Sequence, residues 1–389
     1  MLLKDICSLI TKGTTPSTIG YKFQKEGINF LKVESIDSNG CLISNKVEHI
    51  SQDCHNKMKR SQLLENDVLI TIAGALGRTI VVNNNFLPAN INQAIAILRP
   101  NLDIINPRYL HYYLSTDKMS KIINGYNAQS AQPNINLTQL GELEIDIKTK
   151  EKQNHIVNII GSIDDLIEHY NSSINKLWDL ITLKYNKSFP NIHNLKGLNV
   201  RTLNDVCNRF ATGLNPRNNF KLGCGNNYYV TIKNFETGNL FLNDKCDKVD
   251  DDALLKINNR SDLQKGDILF SGIGTIGRTY LIPETPVNWN ISESVFSIRP
   301  SKEISSEFLY LLLIDQDMQS YSHDNASGSV QKGIRMADIK AYKFNLPNKE
   351  EIFEFTNNVL NLFDKIENFK KQINYLINLK ENYLKKFFG

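Results

Sequence analysis

The two halves of this chain carry one pattern twice. Leu3-Lys-Asp-Ile-Cys7 recurs as Leu203-Asn-Asp-Val-Cys207, an offset of 200 residues. Gly13-Thr-Thr-Pro16 recurs as Gly213-Leu-Asn-Pro216. Leu63-Leu-Glu-Asn-Asp67-Val-Leu recurs as Leu263-Gln-Lys-Gly-Asp267-Ile-Leu. Gly74-Ala-Leu-Gly77-Arg78-Thr79 recurs as Gly274-Thr-Ile-Gly277-Arg278-Thr279, and Arg99-Pro100 as Arg299-Pro300. Beyond that the offset becomes 199, which places a one-residue deletion near residue 304. A register held over a whole half marks a tandem duplication. At 389 residues the chain is also too long for one ordinary domain, so each copy must close a core of its own.

Each copy opens with a β-rich segment. Asp67-Val-Leu-Ile-Thr-Ile-Ala and Asp267-Ile-Leu-Phe-Ser are short apolar runs, followed by a Gly-punctuated turn and a second run. Asn92 to Pro100 reads as a further strand. Residues 107–120 and 306–321 have helical spacing and predict one helix per copy. The fold class is therefore α+β, two β-rich segments in tandem. Then the period changes. Ile156, Ile160, Ile163, Ile167, Tyr170, Ile174, Leu177 and Ile181 alternate steps of four and three. Phe355, Val359, Leu362, Ile366, Phe369, Ile373 and Leu376 do the same in the second copy. Such a heptad seam predicts a long helix, a rod of roughly 54 Å, that needs a partner surface, and the other copy is the obvious one. The expected organisation is a globular segment 1–148, a helix 149–190, a linker and second globular segment 191–347, and a helix 348–389.

Chemistry motifs are sparse. Gly272-Ile-Gly274-Thr-Ile-Gly277 matches a dinucleotide fingerprint, but a Rossmann loop must open a helix, and Arg278-Thr-Tyr-Leu-Ile-Pro283 is β-type. A tight β-turn is the better reading. No Walker loop, H-E-x-x-H or G-x-S-x-G occurs, so no catalytic residue and no cofactor is expected. Six cysteines show no C-x-x-C pair or zinc spacing, so free thiols and no metal are expected. No apolar run reaches 18 residues and no cleavable leader is evident, so a cytoplasmic protein is expected. A net charge of +4 allows nucleic acid without demanding it.

What remains is polar loop chemistry in equivalent places. Lys12, Thr14, Thr15 and Ser17 face Arg209, Thr212 and Arg217 in the second copy. Gln129, Ser130, Gln132 and Asn134 correspond to a loop holding Ser327, Ser329 and Lys332. Lys32 and Glu34 lie opposite Lys233 and Asn234, and Asn90, Asn92 and Gln93 opposite Asn290 and Glu293. Such side chains can reach base edges and bond phosphates, although solvated turns carry the same residue types. Arg78 and Arg278 share a turn position, which fits a phosphate contact or a surface ion pair equally.

This combination resembles the specificity subunit of type I restriction-modification systems over the whole chain. The markers are the L-x-D-[IV]-C entry, the strands at Asn66-Asp67-Val-Leu and Gly266-Asp267-Ile-Leu, the G-x-x-G-R-T turn and the stretch Ser-Ala-Gln-Pro-Asn-Ile-Asn136. The second copy departs at that last stretch, reading Ser-Val-Gln-Lys-Gly-Ile-Arg335. The resemblance implies two target recognition domains on an antiparallel coiled coil with pseudo-twofold symmetry. It further implies a bipartite double-stranded DNA target, and assembly with two methyltransferase and two restriction subunits. Positions shared between copies (Asp5/Asp205, Cys7/Cys207, Gly77/Gly277, Arg99/Arg299) are then scaffold, and differing loops carry base choice. A non-catalytic coiled-coil adaptor and an unrecognised methyltransferase or nuclease are the competing readings.

Overall fold

The computed structural model describes residues 1–37, 40–126, 134–197, 199–328 and 332–389. The chain divides into two units, residues 1–170 with 372–389, and residues 171–371.

Among its described residues the first unit holds seven strands. They are β1 (Cys7–Lys12), β2 (Ile28–Leu31), β3 (Glu48–Ile50), β4 (Val68–Thr71), β5 (Thr79–Val81), β6 (Ala89–Ile91) and β7 (Ile95–Pro100). One antiparallel sheet has the order β1-β7-β4-β5, and a second sheet has the order β3-β2-β6 with β2 and β6 parallel. The four-stranded sheet is apolar on both faces, and the strand period of two sorts its side chains. Val68, Ile70, Ala96 and Leu98 join Tyr109, Leu110 and Tyr113 of the helical layer. Leu69, Ile95 and Ile97 join Leu31, Ala89 and Ile91 of the small sheet.

The second unit repeats this plan. Its four-stranded sheet runs Thr279–Leu281, Ile268–Ser271, Val295–Pro300, Cys207–Thr212, the same order from the opposite edge. Ile268, Phe270, Phe296 and Ile298 face the helices, while Leu269 and Val295 face the small sheet with Val230 and Ile291. The Gly-rich turns join antiparallel strands in both units and open no helix. Gly74, Gly77, Gly274 and Gly277 all have positive φ between 73° and 90° there.

Where one helix per copy was expected over 107–120 and 306–321, there are two. Pro107–Leu114 is followed by Asp117–Gly125, and Ser306–Ile314 by Gln316–Asp324. Each second helix begins on its own cap. Thr116 accepts from the Met119 N–H at 3.3 Å, and Asp315 from the Asp317 N–H at 3.0 Å. A short polar residue able to cap in mid-pattern ends one helix and starts another.

Two long helices follow the globular segments, Lys150–Ser188 and Lys349–Phe388. Each lends one half to each core. Ile156, Val157 and Ile160 are buried in the first unit with Phe388, which meets Tyr109 and Tyr113 edge-on. Ile181, Tyr185 and Phe189 are buried in the second with Phe355, Val359, Phe363 and Ile366. Within each unit the two helices run antiparallel. In the first, His155 meets Phe387 and Asp164 bonds Lys380 at 2.7 Å. In the second, Trp178 meets Phe363 and Tyr185 meets Phe355. Every seam residue is buried or half-buried, as the heptad spacing predicts. No helix among the described residues is long and apolar enough to cross a membrane.

One buried ion pair recurs at the 200-residue offset. Asp67, 1% exposed, accepts two bonds from the Arg99 guanidinium at 2.8 and 2.9 Å and one from the Leu64 N–H at 2.8 Å. Asp267 accepts from Arg299 at 2.6 and 2.9 Å and from the Gln264 N–H at 3.0 Å. Each ties the start of a central strand to its neighbour, the scaffold role expected for Arg99 and Arg299. Asp67→Ala leaves the Arg99 guanidinium unpaired, with an expected stability loss of about 3 kcal/mol, read by urea unfolding.

His111 lies buried in the first unit, its Nδ1 2.8 Å from the Thr79 hydroxyl. Burial first, then the charges of Lys380 and Arg108, push its pKa from 6.5 down to about 3. The unfolded chain therefore binds this proton at a higher pH than the folded one. Its contribution is complete above pH 6.5 and is lost as pH falls toward 3. The expected outcome is an unfolding free energy that declines over that window, and declines less in His111→Gln.

Candidate nucleic-acid interface

Antiparallel neighbours place the end of β1, the start of β7 and the end of β4 at one edge of the sheet. A glycine fixes how closely they meet. A Cβ on Gly13 would lie 1.9 Å from the Ile91 carbonyl oxygen, and on Gly213 1.6 Å from that of Ile291. Only a residue without a side chain lets the backbone pass there. The loop after β1 is thereby held against the turn at residues 92–94. Backbone bonds extend the cluster. The Gly13 N–H donates to the Ile95 carbonyl at 3.3 Å, and the Ile72 N–H to that of Ala94 at 2.8 Å. The Ile135 N–H donates to the Ile72 carbonyl at 3.0 Å, which brings in Asn134 beside Ala73. In the second unit the Ile334 N–H reaches the Gly272 carbonyl at 2.8 Å, and the Gly274 N–H that of Lys332 at 2.9 Å.

The loop pair read from the sequence meets in both units, with different chemistry. Thr15 donates to the Gln93 amide oxygen. At the equivalent positions Asn215 donates to Glu293 at 2.7 Å, and Tyr229 donates to the other oxygen of that carboxylate at 3.0 Å. Lys12, Ser17, Arg217, Ser327 and Lys332 are exposed, and Thr14, Thr212, Arg209 and Asn92 half-buried. Glu34 and Lys233 are exposed on the loops after Leu31 and Val230. Gln129, Ser130, Gln132 and Ser329 lie outside the described residues.

Several expected contacts are instead internal. Asn90 is fully buried; its amide donates to the Met58 carbonyl and the Ser61 hydroxyl at 3.2 and 3.0 Å. Asn290, 1% exposed, accepts from Ser261 at 2.7 Å and donates to Asn258 at 2.5 Å. Asn234 accepts from the backbone N–H and the hydroxyl of Thr231 at 2.8 and 2.9 Å. A side chain consumed in this way cannot reach a base edge. Arg78 donates to the Ile36 carbonyl at 2.7 Å, and Arg278 to those of Ile232 and Phe235 at 2.9 and 3.2 Å. Their common job is to clamp the neighbouring loop, rather than a surface ion pair. Lys32 is paired with Glu48 at 3.0 Å and stacked over Phe23.

Two shared residues escaped the sequence reading. Arg60-Ser61-Gln-Leu63 and Arg260-Ser261-Asp-Leu263 stand at the same offset. The serines hold Asn90 and Asn290, and the arginines reach Thr14, just after β1, and Thr212, the last residue of the equivalent strand. The repeat register was the signal for them. One further cluster is internal. His193 lies with its Nε2 3.1 Å from Asp315 and its Nδ1 3.2 Å from Asp317. Each ring nitrogen faces a different carboxylate, so the trio ties the linker to the helix junction of its own unit.

Repeated polar edges on two α+β scaffolds, each sharing a pair of antiparallel helices, define a tandem-repeat protein with an equivalent polar surface on each copy. A family model for the type I restriction modification DNA specificity domain matches residues 1–177 and again 196–377, and the chain belongs to that family. The specificity subunit of the EcoBI type I restriction enzyme of Escherichia coli is 29% identical over 167 residues. That match takes in 41% of this chain and 35% of the relative, so it spans about a third of the relative's length. The MjaIX specificity subunit of Methanocaldococcus jannaschii is 22% identical over 408 residues, covering 99% of this chain and 91% of that protein. The crystal structure of a type I restriction-modification S subunit from M. genitalium superposes with a TM-score of 0.56 at 16% identity. It covers 100% of this chain and 95% of that one, and shares the fold.

Asn90→Ala and Asn290→Ala should lower stability by about 1–3 kcal/mol each, by stranding buried partners, while leaving any recognised sequence unchanged. Thermal unfolding and motif mapping on the same variants check both halves of that expectation.

Proposed function

We propose that this chain is the DNA-reading subunit of a type I restriction–modification complex in the cytoplasm, without catalytic chemistry of its own. The observation that carries the reading is that the specificity-domain family covers both copies of the duplication. Residues 1–148 and 191–347 are the two target recognition domains, each reading one half of a bipartite double-stranded target. The segments 149–190 and 348–389 are the helical spacer and the docking surface for two methyltransferase and two restriction subunits.

The chemistry supports a reader. Phosphate contacts fix position and base contacts fix sequence, and both need exposed polar groups on a rigid support. Lys12, Ser17 and Asn134 supply these in the first domain, and Arg217, Ser327 and Lys332 in the second, with the half-buried Thr14, Arg209 and Thr212 beside them. The pairs Thr15–Gln93 and Asn215–Glu293 occupy one place with different donors and acceptors, which is where base choice belongs. Linking two weak readers raises the effective concentration of the second once the first is bound. Adenine methylation within a duplex needs a flipped base, a task left to the methyltransferase.

The test is a domain exchange. Replacing residues 1–145 by another recognition domain, expressed with the methyltransferase, should alter one half of the methylated motif and leave the other half and the spacer intact. Sequencing of methylated DNA reads the result. A change in both halves sinks the modular reading, and methylation by the isolated chain would make it an enzyme.

A further inference from the structure

Residues kept at the same offset in both copies have, almost everywhere, a visible internal task. Asp67 and Asp267 hold the strand arginines, Ser61 and Ser261 hold the buried asparagines, and Arg78 and Arg278 clamp carbonyls. Arg60 and Arg260 do not fit that pattern. Both are exposed at the end of the segment that follows the edge strand of the small sheet. Arg60 reaches the Thr14 hydroxyl only at 3.5 Å, and Arg260 the Thr212 hydroxyl at 3.3 and 3.4 Å. Neither guanidinium has a carboxylate at ion-pair distance among the described residues.

Their surroundings are basic. Lys57 and Lys59 precede Arg60, where the second copy has Ile257 and Asn259. Beside Arg260 lies Arg209, which donates to the Arg260 carbonyl at 2.8 Å and has a buried Nε without a partner. Each copy thus concentrates positive charge on the polar edge, from different neighbours around one common arginine. Even the threonine differs. Thr14 lies one residue beyond Gly13, and Thr212 one residue before Gly213.

We infer that Arg60 and Arg260 are matched backbone anchors, each holding a DNA phosphate beside the half-site its domain reads. This rests on the proposed function. Two domains that read different bases have no reason to share a base-reading side chain. The phosphate is the ligand that is identical at every sequence, so the residue that serves it can stay fixed while its neighbours diverge. Arginine suits the task, being always charged and able to bond phosphate oxygens through two N–H groups. The two arginines are positioning residues, and the bases are read by the loops beside them.

The experiment uses the full chain bound to its methyltransferase. Two duplexes of equal length serve as probes, one carrying the motif methylated in vivo and one unrelated. Affinity is measured across a salt series for the wild type and for Arg60→Gln, Arg260→Gln and Arg60→Lys. Each Gln variant should weaken binding to both duplexes by the same factor and reduce the slope of log affinity against log salt by about 1. The methylated motif and the melting temperature should not change, and Arg60→Lys should keep the wild-type slope. An unchanged slope in both Gln variants overturns the inference. So does a loss confined to the motif duplex, which marks base reading, or an equal loss in Arg60→Lys with a lowered melting temperature, which marks a structural role. A wild-type complex that binds neither duplex overturns the functional reading along with it, whereas a binding wild type with indifferent variants overturns this inference alone.

Discussion

The apolar seam of the two long helices is the interaction on which both units close. A helix of 39 or 40 residues with a continuous apolar stripe is not stable in water by propensity; it needs that stripe covered. Here each half of each helix is covered twice, by the antiparallel partner and by the helical layer of a globular segment. Ile160 and Phe388 join Tyr109 in one core, and Ile181, Phe355 and Val359 join Phe308 in the other. A small domain with a four-stranded and a three-stranded sheet has one face that its own short helices do not fully cover. The long helices supply the missing surface, so the coiled coil and the cores cannot be separated energetically.

On that support, the polar edge is positioned by backbone rather than by side chains. Gly13 and Gly213 allow a strand end to lie directly on a neighbouring carbonyl, and the Gly turns fold back through bonds from main-chain N–H groups. Side chains at the edge are therefore free to vary without loss of shape. The Thr15–Gln93 and Asn215–Glu293 pairs show this: one geometry, a neutral acceptor in one unit and a carboxylate in the other.

Much of this was legible in the sequence because its signals were periodic. The duplication, the heptad seam and the paired Gly turns are set by backbone geometry, and a period survives sequence drift. The reading of 107–120 and 306–321 as single helices failed because apolar spacing does not register a cap; Thr116 and Asp315 each start a new helix in mid-pattern. Asn90 and Asn290 were misplaced for a related reason: a polar side chain on an apolar strand looks free in sequence, and only the fold brings it the Ser61 or Ser261 that consumes it. Asn234 is instead consumed locally, by Thr231 three residues before it in the same turn. Arg60 and Arg260 stood in plain register but outside any turn or polar loop, so nothing local drew notice to them.

The way each helix is shared has a consequence for how the molecule is made. Residues 372–389 belong to the same unit as residues 1–170, and Phe388 sits against Tyr109 and Tyr113. During synthesis the globular part of the first unit emerges long before the segment that closes its core. The second unit has no such delay, because residues 171–371 are continuous. Contacts of such long sequence separation form slowly, and surface left bare in the meantime invites aggregation. The unit that begins first along the chain is thus the one whose core is completed by a segment some two hundred residues later.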